Sequence, residues 1–216
     1  MKLSVMLEQL SSGMLRSMEI FFLTLIFSLP LGLLISFGRM SKNKILRTII
    51  KVYISVMRGT PLMLQLLVVY FGPYYLFGMQ IGGTYRFTAI ILGFALNYAA
   101  YFAEIYRSGI ESMPVGQYEA ARVLGYSKTQ CFCCIIFPQV VKRILPSITN
   151  EVITLVKDTS LAFTLSVAEM FSIAKALAAS QTNMIPFVAA GIFYYVFNLI
   201  VAVVMEWIEK KLDYYR

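Results

Sequence analysis

Four long stretches of the chain contain no charged residue, and this feature restricts the fold more than any other. A helix needs roughly 17–25 apolar residues to cross a bilayer, so each stretch is long enough to cross once. A fifth apolar stretch, 144–170, is interrupted by Glu151, Lys157, Asp158 and Glu169. We therefore predict an all-α integral membrane protein with five transmembrane helices in a single domain, 1–216. The four uncharged stretches are 20–38, 59–85, 87–103 and 176–205.

Composition and charge agree with a membrane protein and predict its orientation. Charged residues make up only 14% of the 216 residues, whereas soluble domains contain about 25%. The net charge of +8 is concentrated in alternate connections, so the positive-inside rule predicts an N-terminus outside and a cytoplasmic C-terminus. The basic residues predicted to be cytoplasmic are Arg39, Lys42, Lys44, Arg47, Lys51, Arg58, Arg107, Arg122, Lys128, Lys142, Arg143, Lys210, Lys211 and Arg216.

Residues that would carry out covalent chemistry are missing from the sequence. The chain contains no histidine and no G-x-x-x-x-G-K-[ST] loop for nucleotide phosphates. Cys131, Cys133 and Cys134 form a C-x-C-C run, but there is no second cluster of ligands with which they could hold a metal. We therefore expect neither an enzyme nor a metal or cofactor site, and the cysteines have no assigned role.

The second apolar stretch contains signals for a helix start and a helix end. Thr60 can cap a helix whose first residue is Pro61. Gly72 and Pro73 predict the end of its regular part.

Polar residues follow one face of the third apolar segment. Asn97, Tyr101, Glu104 and Ser108 are spaced as neighbours on one side of a helix. Polar groups are unfavourable in hydrocarbon, so this face should contact protein or a wet cavity. Counting back from Arg107 at the inner end, Asn97 lies roughly 15 Å deep, near the midplane. A local ion pair between Glu104 and Arg107 is the alternative to a functional role.

The fourth segment places two opposite charges deep in the membrane. Lys157 and Asp158 follow Arg143 by about fourteen residues, which is roughly 21 Å along a helix. Each charge costs at least roughly 2.5–3.5 kcal/mol at the centre of a membrane helix, which favours a function in transport. A short helix that brings the pair to the outer interface and a purely structural ion pair are the alternatives.

The segment GQYEAARVLGYSKTQ, 116–130, is unusually polar for this chain. It predicts a short helix over 117–124, a glycine break at Gly125 and a second helical start. Small side chains at Ala120 and Ala121 would let a partner come close, and Glu119 falls in the predicted first turn, where its charge suits the helix N-terminus. An interfacial amphipathic helix without a partner is the alternative.

An ordered set of motifs resembles the permeases of bacterial ABC importers, in particular those of the polar amino acid uptake subfamily. The central match is the EAA loop, over about 116–139, which ends in Pro138-Gln139. The resemblance covers most of the chain from Val56 onward. The motifs are RGTP at 58–61, LN at 96–97, AYFAEIYRSGI at 100–110, GQYEAARVLG at 116–125, FPQ at 137–139, LP at 145–146, NE at 150–151, LVKDTSL at 155–161 and AEM at 168–170.

This resemblance implies a function, a mechanism and partners. The chain would be the permease subunit of an ATP-driven importer in the bacterial cytoplasmic membrane, moving a polar or charged amino acid by alternating access. Its partners would be a second permease copy or paralogue, an extracytoplasmic solute-binding protein and a cytoplasmic ATPase dimer that binds ATP and Mg. The implied ATPase-coupling residues are Tyr118, Glu119, Ala120, Ala121, Arg122 and Gly125, and the candidate substrate-binding residues are Asn97, Tyr101, Glu104, Lys157 and Asp158.

The sequence leaves two points open. Tyr98-Ala99 follows Asn97 where the family commonly has small residues, which leaves the identity of the amino acid undetermined. An ion- or proton-coupled secondary transporter or channel would also use intramembrane charges, although five crossings without an inverted repeat are few for that class. A purely structural membrane protein is a third interpretation, and it predicts no transport defect when the deep charges are neutralised.

Overall fold

The computed structural model describes residues 3–212, which form helices joined by short connections. Lys2 and Arg216, which belong to the charge distribution of the full sequence, lie outside this part of the chain. A π-helical turn, Cys131–Ile136, precedes α7, and a 3₁₀-helix, Thr159–Leu165, follows it. The helices are α1 (Leu3–Arg39), α2 (Lys44–Gly59), α3 (Leu62–Phe77), α4 (Gly83–Glu111), α5 (Val115–Val123), α6 (Lys128–Gln130), α7 (Phe137–Asp158), α8 (Met170–Gln181) and α9 (Ile185–Leu212).

Four helical segments in the described part are long and apolar enough to cross a membrane. They are α1, α4, the continuous run Lys128–Leu165 and α9. A fifth crossing requires α2 and α3 to act together, because a bend of 115° separates them. The all-α membrane fold is thus confirmed with four to five crossings. Two spans differ from the prediction. Helix α3 fills only part of 59–85, and a turn after Gln181 divides 176–205 between α8 and α9.

The centre of the bundle is the contact between α1 and α4. The buried face of α1 includes Thr24, Ser28, Gly32 and Ser36, four residues apart. Small residues at this spacing let two helix backbones approach closely in a membrane. A Cβ atom on Gly32 would lie only 2.8 Å from the Cβ of Phe102 on α4, so only glycine fits here. Pro30 lies within a continuous α1.

The helix boundaries around the bend differ from those predicted. α3 starts at Leu62 with Pro61 as its N-cap residue, and no side chain caps it. The Thr60 hydroxyl instead donates to the Val56 carbonyl of α2 at 2.8 Å. Pro73 does not end α3, which continues to a left-handed C-cap at Gly78. Proline removes one helical hydrogen bond, and α3 nevertheless continues to Phe77.

A buried carboxylate fixes the start of α8. Glu169 is fully buried and accepts hydrogen bonds from the backbone N–H groups of Phe171 and Ser172, both at 2.7 Å. The hydroxyl of Tyr194 on α9 donates to the same carboxylate at 3.2 Å. The adjacent Met170 N–H donates to Ser17 on α1. One side chain therefore joins α8 to α9, beside the contact with α1.

Replacing Glu169 with alanine is expected to destabilise the protein by about 2–4 kcal/mol. The substitution removes the helix cap and takes the carboxylate acceptor away from three donors in a partly buried region. Thermal unfolding of the purified chain in detergent measures the effect. Glu8→Ala, which removes an exposed carboxylate of α1, is the control and should unfold like the wild type. Equal melting temperatures for the two variants would contradict the role given to Glu169.

Candidate functional site: a charged cavity and a projecting helix

A hydrogen-bonded brace holds the bend between α2 and α3. The last carbonyls of a helix have no helical partner, and here the Met57 carbonyl accepts from Asn97 at 3.0 Å and from Gln65 at 2.9 Å. Asn97 also donates to Gln65 Oε1 at 2.9 Å, and Gln65 contacts the Thr60 hydroxyl at 2.8 Å. The structure thus places Asn97, only 5% exposed, as a tie between α4 and the bend.

A cavity of about 370 Å³ opens between the ends of α2, α4 and α7. It collects two of the predicted site residues, Tyr101 and Glu104, and the Ser108 of the same stripe. Guanidinium and carboxylate groups from three helices meet there, so the cavity offers both signs of charge within one small volume. The charged lining residues are Arg58, Glu104, Arg107, Arg143 and Glu151.

Some of the charged groups that line the cavity are paired with one another or with neighbouring residues. Arg107 donates to Glu104 at 2.6 and 3.0 Å and also pairs with Glu111. Arg39, at the end of α1, approaches Glu104 to 3.6 Å. The local pair expected between Glu104 and Arg107 is therefore present, and Glu104 in addition joins α1 to α4. The guanidinium of Arg143 donates to the Ser112 carbonyl at 2.6 Å.

Three of the five charged lining residues form no ion pair within residues 3–212, namely Arg143, Arg58 and Glu151. Arg58 lies over the ring of Tyr101, 5.2 Å from its centroid. Glu151 on α7 is half-buried and forms no ion pair with any residue between 3 and 212. A carboxylate in this position can accept an ammonium group, and a guanidinium over an aromatic ring still has donors for a carboxylate.

A further contact continues from the cavity along α4 and α7, away from the basic ends of these helices. Tyr98, only 2% exposed, donates its hydroxyl to Asp158 at 2.7 Å. The Tyr98 and Tyr101 rings lie 6.2 Å apart, which links Asp158 to the cavity through two aromatic side chains. Lys157 is exposed and does not line the cavity. Within the described residues Asp158 makes its close contact with Tyr98, and no ion pair with Lys157 is formed.

Sequence reasoning missed four residues of this region. From the sequence, Arg58 is considered only as one of the cytoplasmic basic residues. Glu151 is considered only as a charge that interrupts the fifth apolar stretch. Tyr98 was considered only as a bulky neighbour of Asn97, and Gln65 was not considered. A signal existed for Gln65, because a polar amide within an uncharged apolar run needs a partner.

The helix α5 projects from the bundle and ends in a Schellman motif. Gly125 adopts φ +79°, a conformation that glycine tolerates best. The N–H of Gly125 donates to the Arg122 carbonyl, and that of Tyr126 donates to Ala121, the bonds that define this motif. Ser127 and Gln130 then form a capping box that starts α6. The predicted break and second helical start are confirmed.

The two small residues of α5 face different environments. Ala121 is 1% exposed and packs inwards, whereas Ala120 and Glu119 are exposed. Helix α5 begins at Val115 instead of Gln117, so Glu119 lies beyond the first turn, and the expected stabilisation of the helix N-terminus does not apply. Burial raises the pKa of Tyr118.

The outer surface of α5 and its C-terminal turn presents apolar side chains without a partner in the described chain. Val123 is 88% exposed and Leu124 72%. Near the start of α5, the amide of Gln139 contacts Gln117 at 3.4 Å and the Ile135 carbonyl of the π-helical turn at 2.8 Å. The FPQ motif therefore contacts α5.

The described chain is thus a helical membrane bundle with a charged cavity and a short projecting helix. Residues 28–214 match the family described as binding-protein-dependent transport system inner membrane component. The chain belongs to this family, and the resemblance inferred from its motifs is confirmed.

Relatives and a solved structure point to amino acid permeases. The chain is 34% identical over 204 residues to a putative glutamine transport system permease protein of Rickettsia bellii, which covers 93% of this chain and 91% of the relative. It is 37% identical over 201 residues to the arginine transport system permease protein of Bacillus subtilis, covering 93% and 90%. A solved amino acid ABC transporter with histidines superposes with a TM-score of 0.85 at 31% identity, covering 98% and 99%.

These similarities establish the class of the protein. It is a multi-pass membrane protein of the amino acid ABC transporter permease family, a family of inner membrane components. Permeases of this family are membrane subunits without enzymatic activity, and ATP is hydrolysed by separate partner subunits.

Proposed function

We propose that this chain, 1–216, is one permease domain of an ATP-driven importer for a polar or charged amino acid. It works with a cytoplasmic ATPase dimer, which binds ATP and Mg, with a second permease copy or paralogue, and with an extracytoplasmic solute-binding protein. The observation that carries the proposal is the charged cavity beside an exposed helix of the EAA loop. The cavity can hold a zwitterionic amino acid, and the exposed helix can receive force from the ATPase.

The arrangement of charge supports an N-terminus outside and a cytoplasmic C-terminus. Arg39, Arg107 and Arg143 end up around one cavity, and Lys142 and Lys210 around another. The basic ends of α1, α4, α7 and α9 therefore lie at the same end of the bundle. That end faces the cytoplasm by the positive-inside rule.

α5 is the coupling helix of this proposal. Glu119, Ala120 and Arg122 form a polar face, and Val123 and Leu124 supply exposed apolar side chains for a groove on the ATPase. The other three coupling residues act indirectly. Ala121 packs inwards, Tyr118 is half-buried, and Gly125 fixes the turn.

The substrate path of this proposal runs from the cavity to Asp158. Tyr101 and Glu104 line the cavity, and Asp158 marks its deep end. Asn97 is assigned to positioning, because both of its donors hold the brace. Lys157 has an exposed side chain. It remains a candidate substrate-binding residue only because it is adjacent to Asp158.

Transport follows from a difference in nucleotide affinity between two states. ATP binding favours a closed ATPase dimer, and this brings the two coupling helices together. The crossings then open outward to the binding protein, and hydrolysis returns them to the inward-open state. The ATPase must bind nucleotide more tightly in one state than in the other for this coupling to occur.

Reconstituted uptake tests the proposal. The permease is placed in vesicles together with its partner ATPase and binding protein, and uptake of labelled arginine, glutamine and cystine is measured. Uptake of at least one of them should require all three proteins and hydrolysable ATP. Uptake by the permease alone, driven by a proton or sodium gradient, would instead support a secondary transporter and overturn the proposal.

A further inference from the structure

A second cavity, of about 340 Å³, lies between α7 and α9 and belongs to neither the charged cavity nor the coupling helix. Its charged lining residues are Lys142 on α7 and Glu206, Glu209 and Lys210 on α9. The remaining walls are apolar and include Leu145 and Pro146. Two ammonium and two carboxylate groups thus surround one opening, so the lining from residues 3–212 has both signs of charge in equal number.

The position of this cavity along both helices is that of a membrane–water boundary. On α9 the uncharged run 176–205 ends directly before Glu206. On α7 the charged Lys142 and Arg143 are followed at once by Ile144 and Leu145. On α7 the charged residues come before the apolar ones, and on α9 they come after them. The cavity lies at the level where both helices change from charged to apolar. Headgroups of one lipid leaflet occupy this level.

The two carboxylates of the wall keep acceptor capacity for a ligand. Glu206 pairs with Lys210 at 2.7 Å, and Glu209 accepts from the Thr149 hydroxyl at 2.6 Å. A carboxylate has about four lone-pair sites, so each of these contacts leaves further sites open. Two carboxylates at one opening suit a primary ammonium group, which has three donors.

The neighbouring surface suits an acyl chain and a headgroup. Val203 and Val204, one turn before the cavity, are 56% and 49% exposed. Trp207 is 60% exposed and lies under the Lys211 ammonium, 5.0 Å from its ring. Tryptophan and lysine at this level are typical of an interfacial anchor.

We propose that this cavity binds the headgroup of a phosphatidylethanolamine molecule from the adjacent leaflet. The phosphate contacts the Lys210 ammonium, and the primary ammonium contacts Glu206 and Glu209. A headgroup with both charges matches the lining better than an anionic headgroup, which two carboxylates would repel. Phosphatidylcholine offers no N–H donor and fits less well.

The single tryptophan of the chain makes the site measurable. Trp207 is the only one, so bromine-labelled lipids that bind beside it quench all tryptophan fluorescence of the permease. The full chain is reconstituted in phosphatidylcholine vesicles that contain small, equal fractions of brominated phosphatidylethanolamine, phosphatidylglycerol or phosphatidylcholine. Phosphatidylethanolamine should quench with at least about fivefold higher apparent affinity than the other two, the ratio expected from one or more favourable charge contacts.

Variants assign the preference to this cavity. Glu206→Gln with Glu209→Gln should bring the three lipids to equal quenching, because the glutamines keep the side-chain shape but not the charge. Glu111→Gln is the matched control, since Glu111 is also a carboxylate paired with a basic residue four positions away, and it should retain the preference.

Several outcomes would overturn the proposal. Equal quenching by all three lipids in the wild type, or a preference for phosphatidylglycerol, excludes a site for a zwitterionic headgroup. A preference that survives the double substitution places the lipid elsewhere. None of these results depends on ATP-driven uptake, so this proposal and the proposed function fail separately.

Discussion

Asp158→Asn is expected to lower the initial rate of amino acid uptake about 10- to 100-fold while the transporter still assembles. Asparagine has nearly the same shape and can still accept the hydroxyl of Tyr98. Only the negative charge is lost, and with it a charge-assisted contact to the substrate ammonium worth about 1.5–3 kcal/mol. Uptake by vesicles with the ATPase and the binding protein measures the rate.

A companion variant separates a transport role from a structural one. Tyr98→Phe keeps the carboxylate and removes its hydrogen bond from α4. If Asp158 only ties α7 to α4, Tyr98→Phe should lower the melting temperature and the uptake rate, whereas Asp158→Asn, which can still accept the Tyr98 hydroxyl, should keep both. We expect instead that Asp158→Asn loses uptake while its melting temperature stays within about 2 °C of the wild type. Normal uptake by Asp158→Asn would remove this residue from the substrate path.

The membrane-spanning character of the chain could be predicted from sequence because it depends on local composition. Long uncharged runs report directly on what a bilayer accepts. The bend after Gly59 could not be predicted in this way, since it depends on the amides of Asn97 and Gln65, which lie 32 positions apart in the chain. Charge and hydropathy do not report such a contact.

The candidate site was predicted in part for a related reason. Periodicity on α4 placed Tyr101 and Glu104 on one face, and both line the cavity. Lys157 and Asp158 were treated as a pair because they are adjacent, yet neighbouring residues on a helix point about 100° apart. The structure accordingly turns Asp158 towards Tyr98 and leaves Lys157 exposed.

A similar limit applies to the packing of α1. The repeat of Thr24, Ser28, Gly32 and Ser36 is visible in the sequence, but charge and hydropathy report it only as part of an uncharged run, and the sequence suggests for Gly32, with Pro30, a bend that the continuous α1 does not show as a break. The structure shows that their size is what matters, because the hydroxyls of Thr24 and Ser28 have no hydrogen-bond partner in the described part of the chain. Small residues four apart are therefore a signal for close helix contact in such segments.

Gly125→Val is expected to abolish productive coupling to the ATPase while leaving the membrane bundle folded. A left-handed conformation costs a residue other than glycine about 1–2 kcal/mol, and more when the side chain is β-branched. A Cβ atom at this position would meet no other atom within 4 Å, so the backbone conformation is the sole obstacle. The chain relieves the strain by opening the Schellman turn, which moves Val123 and Leu124 away from the groove that they would fill.

The matched control is another glycine of the same region, Gly116 in α5. A Cβ atom there would also meet nothing within 4 Å, but the backbone is helical and alanine is favoured by about 1 kcal/mol. Gly116→Ala should therefore bind the ATPase as the wild type does, whereas Gly125→Val should bind it at least about tenfold more weakly. Co-purification and substrate-stimulated ATPase activity measure both. Normal binding and stimulation in Gly125→Val would mean that the end of α5 does not transmit force, and coupling would then have to pass through another surface.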